Sequence, residues 1–362
     1  MDPVETPGEV DSPSEALTPV PVPDSARSAR LDTWLSVGVW VLGVSLVLFA
    51  GFFGYSVYAQ RQASRLSSPA LQVIDAVSKL VQASPKDPQL RSRLAEALAS
   101  AGQLDQAKQE LYTAIKLDAT FVGAYQNLAT IELTQKDYAN SIVHWKKVLE
   151  LTTDSAMQDV NQRRDLGYFS LGQIALIQKD YVSAVGYFNA AIRVRKDAAD
   201  TYLLLAKSYD GLGQKDQAME QINIALAFDP KYAEAHYVRG RLYLAAGDTV
   251  NAAWDFRAAL DGAPDNPEAQ AAIDSLGSYE SWYGKASTAW DSGEASAALS
   301  AVEIARSIQP DSYDAAMLNG QILERSKDAS GAVDAFTIAL KAKPNDPAAT
   351  AALKRAKTAS KE

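Results

Sequence analysis

Cysteine is missing from all 362 residues. Disulfides, thiol nucleophiles and cysteine-ligated metals are therefore excluded. The redox compartment stays open, because a chain without thiols suits either side of a membrane. Histidine is scarce too: His144 and His236 are the two in the chain. Neither belongs to an HExxH pair, and there is no GxxxxGK[ST] phosphate loop and no GxSxG nucleophile elbow. His236 reads as a packed residue and His144 as a half-exposed one. Carboxylate pairs occur, but without a pocket-forming loop they read as solvated helix faces. The expectation is a protein that is not an enzyme and that holds no cofactor or metal. Basic residues are in deficit, 35 Lys and Arg against 44 Asp and Glu, for a net charge of −9. Residues 1–33 hold seven of the acids and two arginines, a share of −5, which leaves −4 for the rest. Nucleic acid is a poor partner for so mildly acidic a body, because phosphate binding rests on clustered Lys and Arg.

Apolar residues make up 47% and charged residues 22%, a globular balance. Residues 1–32 depart from it. Pro3, Pro7, Pro13, Pro19, Pro21 and Pro23 stand among Ser, Thr and acids with no apolar period, which predicts a disordered tail. The next segment, 33–60, predicts a transmembrane helix. From Trp34 to Ala59 no charge interrupts a run of mainly Leu, Val, Phe, Ala and Gly. At about 1.5 Å per residue the run reaches about 39 Å, enough to cross a hydrocarbon core of roughly 30 Å with some tilt. Trp34 and Trp40 lie toward one end and Tyr55 and Tyr58 toward the other, as in interfacial aromatic belts. Val57 and Ala59 would permit cleavage before Gln60. The apolar run is nevertheless too long for a signal peptide and follows a long acidic tail, so an uncleaved anchor is the reading. Arg27 and Arg30 flank one end, Arg61 and Arg65 the other, so positive charge does not orient the span.

Residues 61–87 read as a linker and a capping helix, and the chain then repeats itself. Units starting at Pro88, Val122, Asp165, Ala199, Ala233, Tyr279 and Tyr313 share one phase, with four of the six spacings at 34 residues. The eighth position is always small: Ala95, Ala129, Gly172, Ala206, Gly240, Ala286 and Gly320. So is the twentieth, Ala except for Ser141, and the twenty-seventh, Ala except for Val148. Positions four, seven, eight and eleven share one helical face, as do twenty, twenty-four and twenty-seven. Small residues at eight and twenty let two antiparallel helices approach, and the larger twenty-fourth residue fills the space beside them. Gly102, Gly213, Gly247 and Gly293 stand at the fifteenth position, where a left-handed residue ends a helix; Lys136, Lys179 and Lys327 take that place elsewhere. Pro230, Pro264, Pro310 and Pro344 mark the start of the following unit.

At these residues the chain resembles the tetratricopeptide-repeat (TPR) family, in a membrane-anchored bacterial form, over 88–346. The resemblance implies an all-α right-handed superhelical solenoid of about seven helical hairpins, whose inner groove binds proteins or peptides. Residues 156–164 and 267–278 lengthen two junctions, the second as an extra turn or short helix capped by Gly277. The amphipathic segments 69–84 and 347–362 should cap the ends. By resemblance, the second, fifth, ninth and twelfth positions of each first helix line the groove. With Asn127 they supply the candidate partner-binding residues Phe169, Gln173, Lys207, Tyr237, Arg241, Tyr283 and Trp290. Lys207 and Arg241 fall at equivalent positions of adjacent units, with Tyr237, Tyr283 and Trp290 nearby, a setting for an acidic and apolar peptide. The plain alternative pairs Lys207 with Asp210. Of the positions where co-chaperone members clamp a C-terminal carboxylate, Asn127 alone agrees, so that clamp is not expected. The function implied is a membrane-tethered scaffold for partners that are proteins or peptides, membrane-associated ones included. The alternative is a self-associating envelope protein without a discrete ligand. Bacterial proteins of this layout more often hold their repeats outside the cytoplasm, and that side is the expectation.

Overall fold

The computed structural model describes residues 49–58, 69–153 and 162–361. It divides into two units, Met1–Ala76 and Val77–Glu362. In the first, residues 49–58 are helical (α1), with Phe49, Phe52, Phe53, Tyr55 and Tyr58 exposed. The tail at 1–32 and most of the predicted membrane segment 33–60 lie outside the described residues. Among the described residues no helix is long and apolar enough to cross a membrane.

The rest is helical, and no strand occurs among the described residues. After α2 (Pro69–Ala83) come five hairpins: α3–α4 (Pro88–Ser100, Leu104–Leu117), α5–α6 (Val122–Thr134, Tyr138–Leu151), α7–α8 (Gln162–Ile177, Tyr181–Val194), α9–α10 (Ala199–Gly211, Lys215–Phe228) and α11–α12 (Ala233–Ala245, Thr249–Gly262). A lone helix α13 (Pro267–Ser275) follows, then hairpins α14–α15 (Tyr279–Asp291, Ala295–Ile308) and α16–α17 (Tyr313–Arg325, Ala329–Ala342) and a final lone helix α18 (Pro347–Ala359). α7 starts at Gln162, three residues ahead of Asp165, because the helix continues backward into the longer junction. Of that junction, 154–161 is outside the described residues.

The recurring small residues sit where the helices touch. Ala95, Ala129, Ala206 and Ala286 are fully buried, and so are the twentieth and twenty-seventh residues of all seven hairpins. The glycines at the eighth position are not interchangeable with the alanines. A methyl group on Gly172, Gly240 or Gly320 would come within 2.6, 2.7 or 2.4 Å of Phe188, Phe256 or Phe336, the twenty-fourth residue of the same hairpin. Where the eighth residue is Ala, the twenty-fourth is Leu111, Ile222, Val302 or Trp145. Trp145 lies beside Gly167 of the next unit, where an added methyl would meet Leu149 at 3.0 Å. In the three hairpins with glycine at the eighth position, the phenylalanine ring thus fills the space a methyl group would need. At the turns, Gly102, Gly213, Gly247 and Gly293 have φ between +74° and +83°, and Lys136, Lys179 and Lys327 have φ of 60–64°. In the first turn the Gln103 N–H donates to the Leu98 carbonyl at 2.8 Å, the bond that closes such a helix end.

The two flanking helices differ. α18 buries Ala349, Ala352 and Ala356 against Phe336 and its neighbours. α2 buries only Val81.

Candidate functional site

In the first five hairpins each second helix packs on the first helix of the following unit: α4 on α5, α6 on α7, α8 on α9 and α10 on α11. The first helices α3, α5, α7, α9 and α11 therefore stand side by side. At the N-terminal end of this row lies a polar hollow of about 330 Å³ between α3, α5 and the start of α7. Asn127 is on its wall, but its amide is committed: Nδ2 donates to Ser92 Oγ at 3.1 Å and to Glu96 Oε1 at 2.8 Å. Arg163 Nη1 donates to Gln126 Oε1 at 3.3 Å, and Arg93 is exposed with no ion-pair partner among the described residues. Further along, half-buried Phe169 lies edge-on to Phe188 with ring centroids 6.1 Å apart. Gln173 is half-buried, and its side chain makes no hydrogen bond among the described residues.

The expected basic pair is changed. The Lys207 ammonium pairs with the Glu234 carboxylate of α11, not with Asp210, which takes Lys215 at 3.0 Å instead. Glu234 stands on the neighbouring first helix, whereas Asp210 is near the turn that carries Lys215. Arg241 is left exposed with no ion-pair partner among the described residues. Leu203, at a groove position by sequence, is fully buried in the core and is not available. Tyr237 is half-buried with its ring 6.0 Å from that of Phe256. With Tyr232 and Glu234 it walls an open hollow of about 720 Å³, closed on the far side by Pro264 to Glu268. Burial, and next the nearby Glu234, push the Tyr232 phenol up to about 12, so it stays neutral.

Tyr283 and Trp290 are not part of this row. At the lengthened junction α12 is covered by α13 and α15, not by α14. The lone helix takes the place where the next first helix would stand, so α14 is displaced and packs chiefly on α15 and α16. Tyr283 stacks on Tyr279 at 5.7 Å, and the Arg325 guanidinium covers Trp290 at 5.1 Å.

Both histidines are paired. His144 is not half-exposed: its side chain is 14% exposed, and Nδ1 lies 2.7 Å from the carboxylate of fully buried Glu132. His236 Nδ1 lies 2.8 Å from Asp255 Oδ1, and Nε2 lies 3.1 Å from the Pro230 carbonyl. Both partners accept, so both ring nitrogens must donate, which requires the imidazolium. The Asp255 hydrogen bond accordingly raises the His236 pKa against the opposing effect of burial. Burial also acts to raise Asp255, but hydrogen bonds from Arg239 at 2.7 and 2.8 Å and from His236 outweigh it and hold the carboxyl below its usual range. These clusters were missed by sequence reasoning, although Glu132 and Arg239 stand at core-facing positions, which was the available signal. Among the described residues no group of three or more His, Cys, Asp or Glu could hold a metal ion.

The tetratricopeptide-repeat family model TPR_16 matches residues 203–267 and 283–347, and a second, TPR_19, matches 72–130. The chain is built of tetratricopeptide repeats. Solved TPR structures similar to it include YrrB, described as a TPR protein with an unusual peptide-binding site, at 19% identity over 56% of this chain and 99% of that one, with a TM-score of 0.47. MamA from Desulfovibrio magneticus RS-1 is 19% identical over 50% of this chain and 97% of that one, with a TM-score of 0.44. The C-terminal part of a TPR protein from Cytophaga hutchinsonii is 14% identical over 78% and 94%, also at 0.44. No curated protein matches the chain.

Proposed function

We propose that this chain is a membrane-tethered TPR scaffold that holds protein or peptide partners along α3, α5, α7, α9 and α11, and that it performs no chemistry itself. The observation that carries the reading is the surface at α11. An uncommitted guanidinium, Arg241, stands on the same helix as a half-buried ring, Tyr237, which walls a hollow open to solvent. Arginine and tyrosine are the side chains that most often carry interface energy, because each pairs a large apolar area with directed polar groups. Phe169 and the polar hollow at Arg93 extend the same face toward the N-terminus. The uncharged run Trp34 to Ala59 supports the tether, and tethering would raise the local concentration of the repeats near membrane-bound partners. The repeats are proposed to lie outside the cytoplasm.

Affinity capture of the full chain from membranes tests the groove. Arg241→Glu should lose partners that the wild type recovers, and unchanged recovery would remove Arg241 and its surroundings from the binding surface. Deleting 33–60 should move the chain into the soluble fraction; continued pelleting with membranes would contradict the tether. Protease access in intact cells reports the side directly.

A further inference from the structure

Two helices of the array stand alone. Pro267 follows Ala233 by 34 residues and Pro347 follows Tyr313 by 34, so α13 and α18 each begin where a new first helix should. Both start with Pro at the first helical position, behind a side chain that caps the backbone, Asn266 or Asp346. Both bury the third residue completely, Ala269 and Ala349. α13 is followed not by a second helix but by α14, the first helix of another hairpin. The two TPR_16 matches end on these same prolines. The first five hairpins and α13 therefore form one block that ends in a half-repeat, and a second block starts at α14.

The blocks are joined through second helices. Trp254 Nε1 of α12 donates to Glu303 Oε2 of α15 at 2.8 Å, and the Arg306 guanidinium lies 5.5 Å from the Trp254 ring centroid. The first helix of the second block is left without a neighbour on one side. α14 buries only Ala286, whereas α3, α5, α7, α9, α11 and α16 bury four to six residues each. A methyl group on Gly284 would meet nothing within 4 Å.

We infer that the face of α14 and α16 is a second interaction surface, separate from the first groove, for an extended protein segment that carries Lys or Arg beside an apolar side chain. The inference rests on the reading that these repeats bind through their first helices. Its apolar floor is Tyr283 stacked on Tyr279. Its rim is anionic: Glu280 and Asp314 are exposed and have no ion-pair partner among the described residues. Tyr283 and Asp314 are near enough that, after burial, this carboxylate is what holds the phenol above its ordinary value. Three cations of this block lie over rings, Lys285 over Trp282 at 3.9 Å, Arg325 over Trp290 and Lys343 over Tyr313 at 3.9 Å. Among the described residues no Lys or Arg forms an ion pair with Glu280 or Asp314, so both carboxylates are available to a cation of the partner. The first groove instead presents two guanidinium groups, Arg93 and Arg241, with no ion-pair partner among the described residues. Two such surfaces on one chain would engage two segments at once.

The test pans the full chain, purified in detergent, against a phage-displayed random nonapeptide library. Wild type should select two classes, one acidic and apolar, the other basic and apolar. Glu280→Gln with Asp314→Asn, both exposed and changed isosterically, should reduce retention of the basic class by about tenfold or more, while Arg241→Glu leaves it unchanged. An unaltered thermal melt shows that the fold is intact. Absence of a basic class, or its loss in Arg241→Glu rather than in the Glu280/Asp314 variant, would overturn the inference. An acidic class lost in Arg241→Glu with no basic class beside it overturns the second surface alone; selection of no peptide removes the first groove as well.

Discussion

Replacing Gly240 by Ala should destabilise the fifth hairpin, although the same change in an open helix would stabilise it by about 0.8–1 kcal/mol. The new Cβ would lie 2.7 Å from Cδ1 and Cε1 of Phe256 and 3.2 Å from the Ala252 carbonyl oxygen. Phe256 is fully buried, so its ring has nowhere to go. Overpacking of this kind costs about 1–3 kcal/mol, which leaves a net loss of up to about 2 kcal/mol after the gain in helix propensity. Phe256→Leu alone opens a void and should cost about 1–2 kcal/mol. Together the two changes recreate the Ala95–Leu111 pair of the first hairpin, so their effects should not add. A favourable coupling on the order of 1–2 kcal/mol is expected in the double-mutant cycle. Repeat arrays unfold in parts, so the assay is hydrogen exchange at the amides of α11 and α12, with a denaturant midpoint beside it. Greater protection in Gly240→Ala, or simple additivity with Phe256→Leu, would refute the volume-trading argument.

Two further outcomes are expected. His236 has a raised pKa in the fold, so its contribution is complete below the unfolded value of about 6.5 and is lost as pH rises through the folded value. The deficit of His236→Gln in urea midpoint should therefore be larger near pH 5.5 than near pH 9, and equal deficits would contradict the imidazolium assignment. Glu303→Ala should loosen the joint between the blocks, because it strips partners from Trp254, Arg306 and Asn319. About 3 kcal/mol is expected, read as faster exchange in α15 and α16 with α7 and α8 unchanged; a uniform increase would show that the network holds no particular joint.

The hairpins were legible because one backbone geometry imposes the same size limit every 34 residues, and Ala95, Ala107 and Ala114 announce it before any contact is known. The turns were legible for the same reason, since a left-handed residue needs Gly or tolerates a lone Lys. The groove was less so. Which face a residue takes follows from helical phase, but which partner it meets depends on neighbouring units. Lys207 meets Glu234 across two helices, a relation that spacing within one helix cannot reveal. The lone helix α13 hid in plain sight: Pro267 has the right phase for a first helix, but no second helix follows, and the consequence for α14, Tyr283 and Trp290 lies in packing alone. The uncharged run Trp34 to Ala59 stands out by hydropathy, and a membrane role for it belongs to the proposed tether.

The central claim, that partners lie along the inner row of the first block, is tested most directly by a photo-crosslinking residue placed at position 241 or at position 182 of the full chain in intact cells. Val182 is 71% exposed on the second helix α8, away from the row. The account predicts partner adducts from position 241 and none from 182. Adducts from 182 with none from 241 would contradict it.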